Sequence, residues 1–140
     1  MTKQLDVACF GHISLDTRCR IQSYPLPNRG THIQQEIIAL GGDAAIISSN
    51  LSLWGYRVGL IGNGLGKDEI SSQIIDLLTE ANVEFQPKYI YESSSHIIVF
   101  VSPDGSRTWF ACGIDRFRSE ESPKYDFEMI ARSKIAYIDS

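Results

Sequence analysis

The stretch from residue 41 to residue 82 constrains this chain most, because its hydrophobic pattern switches period twice. Gly41-Gly42 makes a turn, and Asp43 opens an uninterrupted apolar-rich run over 44–54 that closes at Gly55. A run of that length with a glycine behind it predicts a helix. Residues 57–61 (RVGLI) form a short apolar run, the mark of a core strand. Residues 67–82 then place Ile70, Ile74, Leu77, Leu78 and Ala81 at helical spacing, with Asp68 and Glu69 expected in the first turn, where carboxylates favour the helix dipole. Helix, strand, helix after an opening strand at 5–10 (LDVACF) predicts a parallel sheet covered by helices.

The flanking segments differ in style. Residues 13–21 continue in an extended pattern, and 23–30 (SYPLPNRG) read as a loop. Residues 31–40 read as a strand, because β-branched Ile33, Ile37 and Ile38 are interleaved with polar side chains. Residues 96–101 and 108–112 are two strands joined by Ser102-Pro103-Asp104-Gly105-Ser106. Proline presets φ and glycine accepts positive φ, so this is a hairpin. Residues 125–132 predict a short helix and 135–139 (IAYID) another core strand. Gly62, Gly64 and Gly66 read as a flexible loop.

Composition excludes several classes. With 43% hydrophobic and 21% charged residues, 140 residues suffice for a globular core. A net charge of −4 with scattered basic residues gives no face for nucleic acid. The longest apolar runs are too short to cross a membrane, and the polar opening residues show no signal peptide. Cys9, Cys19 and Cys112 form no CxxC pair, so they read as free buried thiols of a cytoplasmic protein rather than a zinc site.

Few residues point to chemistry. Asp16, in Gly11-His12-Ile13-Ser14-Leu15-Asp16, sits where a carboxylate could accept hydrogen bonds from two sugar hydroxyls; from the residues alone, a solvated surface Asp is the favoured reading. Gly41-Gly42 ahead of a helix lets a ligand approach the backbone, and serves a tight turn just as well. The pair lacks the third glycine of the dinucleotide fingerprint, and Gly62-Asn63-Gly64-Leu65-Gly66-Lys67-Asp68 is not a phosphate-binding P-loop. His12, His32 and His96 stand alone, without a triad partner.

Taken in order, four segments resemble the ribokinase/PfkB family of carbohydrate and nucleoside kinases: Gly11 to Asp16; Gly41-Gly42-Asp43-Ala44-Ala45 through Gly55; Val58 to Gly62 with Gly64 to Asp68; and the hairpin around Pro103-Asp104-Gly105. The resemblance implies a three-layer α/β/α sheet with a small β-sheet lid, built from strands at about 14–38 and 96–112. It implies that Asp16, Gly41 and Gly42 hold a sugar's hydroxyls, that Asp43 makes another polar contact, and that Ile98 and the hairpin close over the substrate. ATP and Mg2+ would serve the full-length parent; neither is expected to bind this fragment well.

Two departures from the family pattern stand out. Ile46 occupies a position where the family's signature helix usually carries Asn. The family's C-terminal D-T-x-G-A-G-D motif, which supplies the anion hole and base, is absent. The expectation is therefore the substrate-binding portion of an ATP-dependent sugar kinase, inactive as it stands and ending mid-fold. A non-catalytic sugar-binding or dimerising module, a nucleoside kinase fragment, and an α/β domain whose glycines are only turns are the alternatives. A homodimer through the lid or the open sheet edge would cover the apolar surface left over.

Overall fold

The computed structural model describes residues 4–113, 125 and 127–139. In chain order its elements are β1 (Leu5–Gly11), β2 (Ser14–Ile21), β3 (Ile33–Gly41), α1 (Asp43–Leu53), β4 (Val58–Gly62), β5 (Leu65–Gly66), α2 (Glu69–Glu80), β6 (Glu84–Phe85), β7 (Tyr89–Tyr91), β8 (His96–Val101), β9 (Arg107–Cys112), α3 (Glu128–Ala131) and β10 (Ser133–Ile138).

Four of these strands make a parallel sheet in the order β10-β1-β4-β6. Side chains of a strand alternate between faces, so the short apolar runs serve two cores. Val7, Cys9, Val58 and Leu60 pack with Ala44 and Ala45 of α1 and Ile74 and Leu78 of α2. Ala8 and Ile61 face the other way and meet Met129 of α3. A Cβ at Gly59 would overlap the Met129 sulfur, so the bare backbone there is what lets α3 lie close. Each fully buried Leu or Ile contributes about 1.5–3 kcal/mol, and these two layers hold most of them.

The second sheet has the order β3-β2-β8-β9. β2 pairs antiparallel with β3 and parallel with β8, and β8 pairs antiparallel with β9. The hairpin turn has Gly105 at φ 84°, as its sequence predicts. Leu15, Cys19 and Ile21 of β2 are buried. The edge strands keep apolar side chains in view: Ile37 and Ile38 on β3, Trp109 and Phe110 on β9. β5 and β7 form a separate two-stranded parallel ladder.

Several expectations change. Residues 62–66 are not a flexible loop. Asn63 is 2% exposed and Leu65 fully buried, and a Cβ at Gly64 or Gly66 would overlap Ile90 or the Ser93 backbone. Those glycines admit close neighbours instead of supplying freedom. Asp68 lies one residue before α2 and caps it, its side chain accepting from the Ser71 amide at 2.9 Å. The short helix expected over 125–132 is described only as Glu128–Ala131; residue 126 lies outside the described residues. Cys9 and Cys19 are buried thiols, but Cys112 is exposed. β10 forms one edge of the parallel sheet, with Ile135 and Ile138 exposed.

Candidate functional site

At the carboxyl end of β1 the chain leaves the parallel sheet and enters the second one within three residues, and this crossing is held rigidly. The buried Asn63 side chain accepts from the Ile13 amide at 2.7 Å and donates to the Ile13 carbonyl at 3.1 Å. Ile13 itself is fully buried. The crossing therefore delivers Ser14 and Asp16 to a fixed place. Sequence reading assigned Asn63 to a loop, and nothing in its local pattern marks it as a clamp.

Asp16 is mostly covered, its side chain 14% exposed. Its carboxylate accepts from the Ser14 hydroxyl at 3.2 Å and lies 3.9 Å from Arg18. Burial raises its pKa; Ser14, Arg18 and two histidines only partly offset that. A Cβ on Gly41 would collide with this carboxylate, and one on Gly42 with the His12 carbonyl. The glycine pair is thus bare because Asp16 and the β1–β2 crossing occupy the space where side chains would go. Gly42, at φ 83°, is also the N-cap of α1, and no side chain caps that helix start. The first amides of α1 are left for solvent or a ligand. Asp43 begins α1 and is exposed.

The end of β10 contributes a residue that sequence reading passed over. Asp139 accepts from the His12 amide at 3.4 Å, while its own amide donates to the Phe10 carbonyl at 2.9 Å. Gly11 makes this possible, since a Cβ there would overlap that of Asp139. Burial, then the charges of Asp139 and Asp43, push the Tyr137 phenol up. His12 has its pKa lowered by burial, against the pull of Asp139 and Asp16, and its Nε2 has no hydrogen-bond partner among the described residues. The imidazole is therefore held toward its neutral form between two acids.

Above Asp16 lies a hollow of about 380 Å³ lined by Asp16, Ile97, Val99, Arg107 and Trp109. The register explains this membership. Asp16 pairs with Ile97, and Arg18 with Val99, which pairs in turn with Trp109. Ile98 pairs instead with Thr17 and Phe110, so it lies on the opposite face of the sheet from Asp16. The residues of β8 that share the Asp16 face are Ile97 and Val99, one position to either side. After His96 the strand is apolar over residues 97–101, and so gives no alternation from which to choose the face. Ile46 lies in the first turns of α1, half-buried. Among the described residues no group of three or more His, Cys, Asp or Glu side chains could hold a metal ion. Nor, among the described residues, do the glycines of 62–66 offer an open phosphate cradle, since Asn63 and Leu65 are buried and Gly64 and Gly66 are packed against Ile90 and Ser93. The described residues therefore assign no site for Mg2+ or the ATP phosphates.

No family model matches the sequence. A nucleoside kinase from Methanothermobacter thermautotrophicus is 27% identical over 130 residues, covering 88% of this chain and 41% of that protein. Among solved structures, a protein from Agrobacterium tumefaciens assigned as a ribokinase superposes with a TM-score of 0.81 at 20% identity, over 98% of this chain and 45% of its own. Arabidopsis thaliana ribokinase, complexed with ribose and ATP, gives 0.74 at 16% identity, over 97% and 45%. The chain thus spans less than half the length of the relatives it matches. No helix among the described residues is long and apolar enough to cross a membrane.

Proposed function

We propose, for a chain whose ribokinase-like fold and kinase relative support the ribokinase/PfkB family, that it forms the acceptor-binding side of an ATP-dependent kinase acting on a sugar or nucleoside hydroxyl. The observation that carries this reading is the Asp16 carboxylate, covered by protein, backed by a bare Gly41 and open toward a hollow roofed by Ile97, Val99 and Trp109. A carboxylate so placed accepts two neighbouring hydroxyls, and charge-assisted hydrogen bonds of that kind are the strong ones. The free amides of Gly42 and the first turn of α1 bind further hydroxyls, and Asp139 supplies a second carboxylate at the rim. Ile97 and Val99, in place of Ile98, form the dry wall on the Asp16 face. The four-stranded second sheet acts as a lid that keeps water from the acceptor.

Phosphoryl transfer is almost wholly positioning and charge stabilisation. The role assigned to this chain is to bind and orient the acceptor and to exclude water. Asp43, exposed at the start of α1, stays as a rim contact.

Isothermal titration of the 140-residue chain with ribose, fructose and adenosine tests the reading. Binding should be detectable for at least one, and Asp16→Asn should weaken it about tenfold or more. Unchanged affinity removes Asp16 from the site. A nucleoside is favoured by one specific observation: Trp109 lines the hollow and is 60% exposed, which leaves a ring face for a base to stack on. Adenosine binding that quenches Trp109 fluorescence, and is lost in Trp109→Ala, would select it.

A further inference from the structure

We infer that the acceptor this lid takes carries an anionic group, a phosphate or a carboxylate, in addition to its hydroxyls. The inference rests on the acceptor-site reading above and names its substrate class.

The chain as a whole is acidic, with a net charge of −4. One face of the second sheet reverses that sign. The pairing register puts Asp16, Arg18 and Arg20 of β2 on the same face as Arg107 and Trp109 of β9, with Ile97, Val99 and Val101 of β8 between them. The β3 residues on this face, Gln35, Ile37 and Ala39, carry no charge. Three guanidinium groups thus share a face with one carboxylate. Arg18 leans on that carboxylate at 3.9 Å. Arg20 and Arg107 have no ion-pair partner among the described residues, though they flank the same β8 residue, Val101. Two strand spacings put their backbones about 10 Å apart, within the combined reach of two arginine side chains. The acid nearest in sequence to Arg107, Asp104, makes no ion pair with either arginine. It is folded into the hairpin turn, accepting from the Ser102 and Ser106 hydroxyls at 2.6 and 2.8 Å and from the Ser106 amide at 3.0 Å.

Arg107 also lines the hollow that contains Asp16. A single ligand there meets a hydroxyl acceptor at one end and a planar, permanently charged donor fork at the other. That fork matches carboxylate and phosphate oxygens in pairs. A neutral sugar would leave it unused. An edge strand often carries a lone charge to discourage pairing; a second free arginine on the inner strand β2, on the same face, has no such purpose.

The test is titration of the full chain with matched ligands: ribose against ribose 5-phosphate, and glucose against its sugar acid gluconate. The expected result is that at least one anionic ligand binds about tenfold or more tightly than its neutral partner. That advantage should shrink with added salt and vanish in Arg107→Gln, so that this variant binds the anionic and the neutral ligand of each pair equally. Circular dichroism checks that this surface variant folds. The phosphate and carboxylate arms tell the two anions apart. Equal affinity for neutral and anionic ligands, or an advantage that survives in Arg107→Gln, overturns the inference and leaves the acceptor site standing. An anionic ligand that binds Asp16→Asn as tightly as wild type overturns it too, since the arginines would then bind anions without the hydroxyl site. No binding of any ligand overturns both readings.

Discussion

Asp16 sets a conflict between stability and binding inside one side chain. Its folded pKa is raised, chiefly by burial, so its ionised form is the costly one in the folded protein. For an acid shifted that way, the favourable contribution is present at pH below the ordinary carboxylate value and is lost as pH rises through the raised folded value. At neutral pH the carboxylate is therefore a burden on the fold. Asp16→Asn should raise the melting temperature at pH 7 and give a smaller gain, or none, near pH 3, while weakening ligand binding. Thermal denaturation at the two pH values checks this; equal shifts at both would show that ionisation is not the cause. Binding sites commonly carry strain of this kind. The Gly41-Gly42 pair belongs to the same account. Sequence reading left it open between ligand approach and tight turn, and the geometry gives a third reason, the room taken by Asp16 and by the His12 carbonyl.

At the scale of elements, Asp68 does more than cap α2. One carboxylate oxygen accepts from the Ser71 amide and the Ser94 hydroxyl at 2.9 and 2.8 Å, and the other from the Ser94 amide at 2.7 Å. The Ser94 hydroxyl also accepts from the Gly66 amide at 2.9 Å. α2, β5 and the approach to β8 are thereby tied to one group. Burial raises the Asp68 pKa, but these hydrogen bonds outweigh it and hold the carboxyl below its ordinary value. Its stabilisation is thus full above the ordinary carboxylate range and is lost as pH falls through the lowered value. Asp68→Ala should cost about 2 kcal/mol or more, because it removes a cap and strands a buried serine. Urea denaturation measures that, and amide exchange should speed up in β8 as well as in α2. If exchange rises in α2 alone, the tie to β8 carries no load. These ties also mark the limit of what was legible. α1, α2, β4 and the hairpin follow from periodicity and turn chemistry, which are local. The clamp of Asn63 on Ile13 and the tie of Asp68 to Ser94 join residues far apart in sequence, and their glycine-rich surroundings look like a loop. Asp139 lies 123 positions beyond Asp16, and no motif in the chain links the two.

For the whole molecule, the exposed apolar surface suggests an assembly. Ile38 of β3, Ile98 of β8 and Phe110 of β9 lie in one row across the second sheet, on the face opposite Asp16. The two outer members are 47% and 59% exposed. We propose that a second copy of the chain covers this row, as a homodimer through the lid. Sedimentation equilibrium should then show a dimer that Phe110→Asp shifts toward monomer; a monomer at every concentration would remove the proposal. The chain alone should transfer no phosphoryl group from ATP to any sugar it binds, measured as ADP release, and turnover would show that a base and anion hole exist where none has been assigned.

The parallel pairing of β2 with β8 also governs when the lid can exist. Leu15 to Arg20 receives its second neighbour from His96 to Val101, some eighty residues later. During synthesis, β2 and β3 emerge first and can form only an isolated hairpin, which is marginal in water. At a synthesis rate of about 5–20 residues per second, several seconds pass before β8 arrives. The β1–β2 crossing and α1 are complete well before that. Asp16, the glycine pair and the start of α1 are therefore laid down early and wait uncovered, until the roof and, after it, Asp139 arrive.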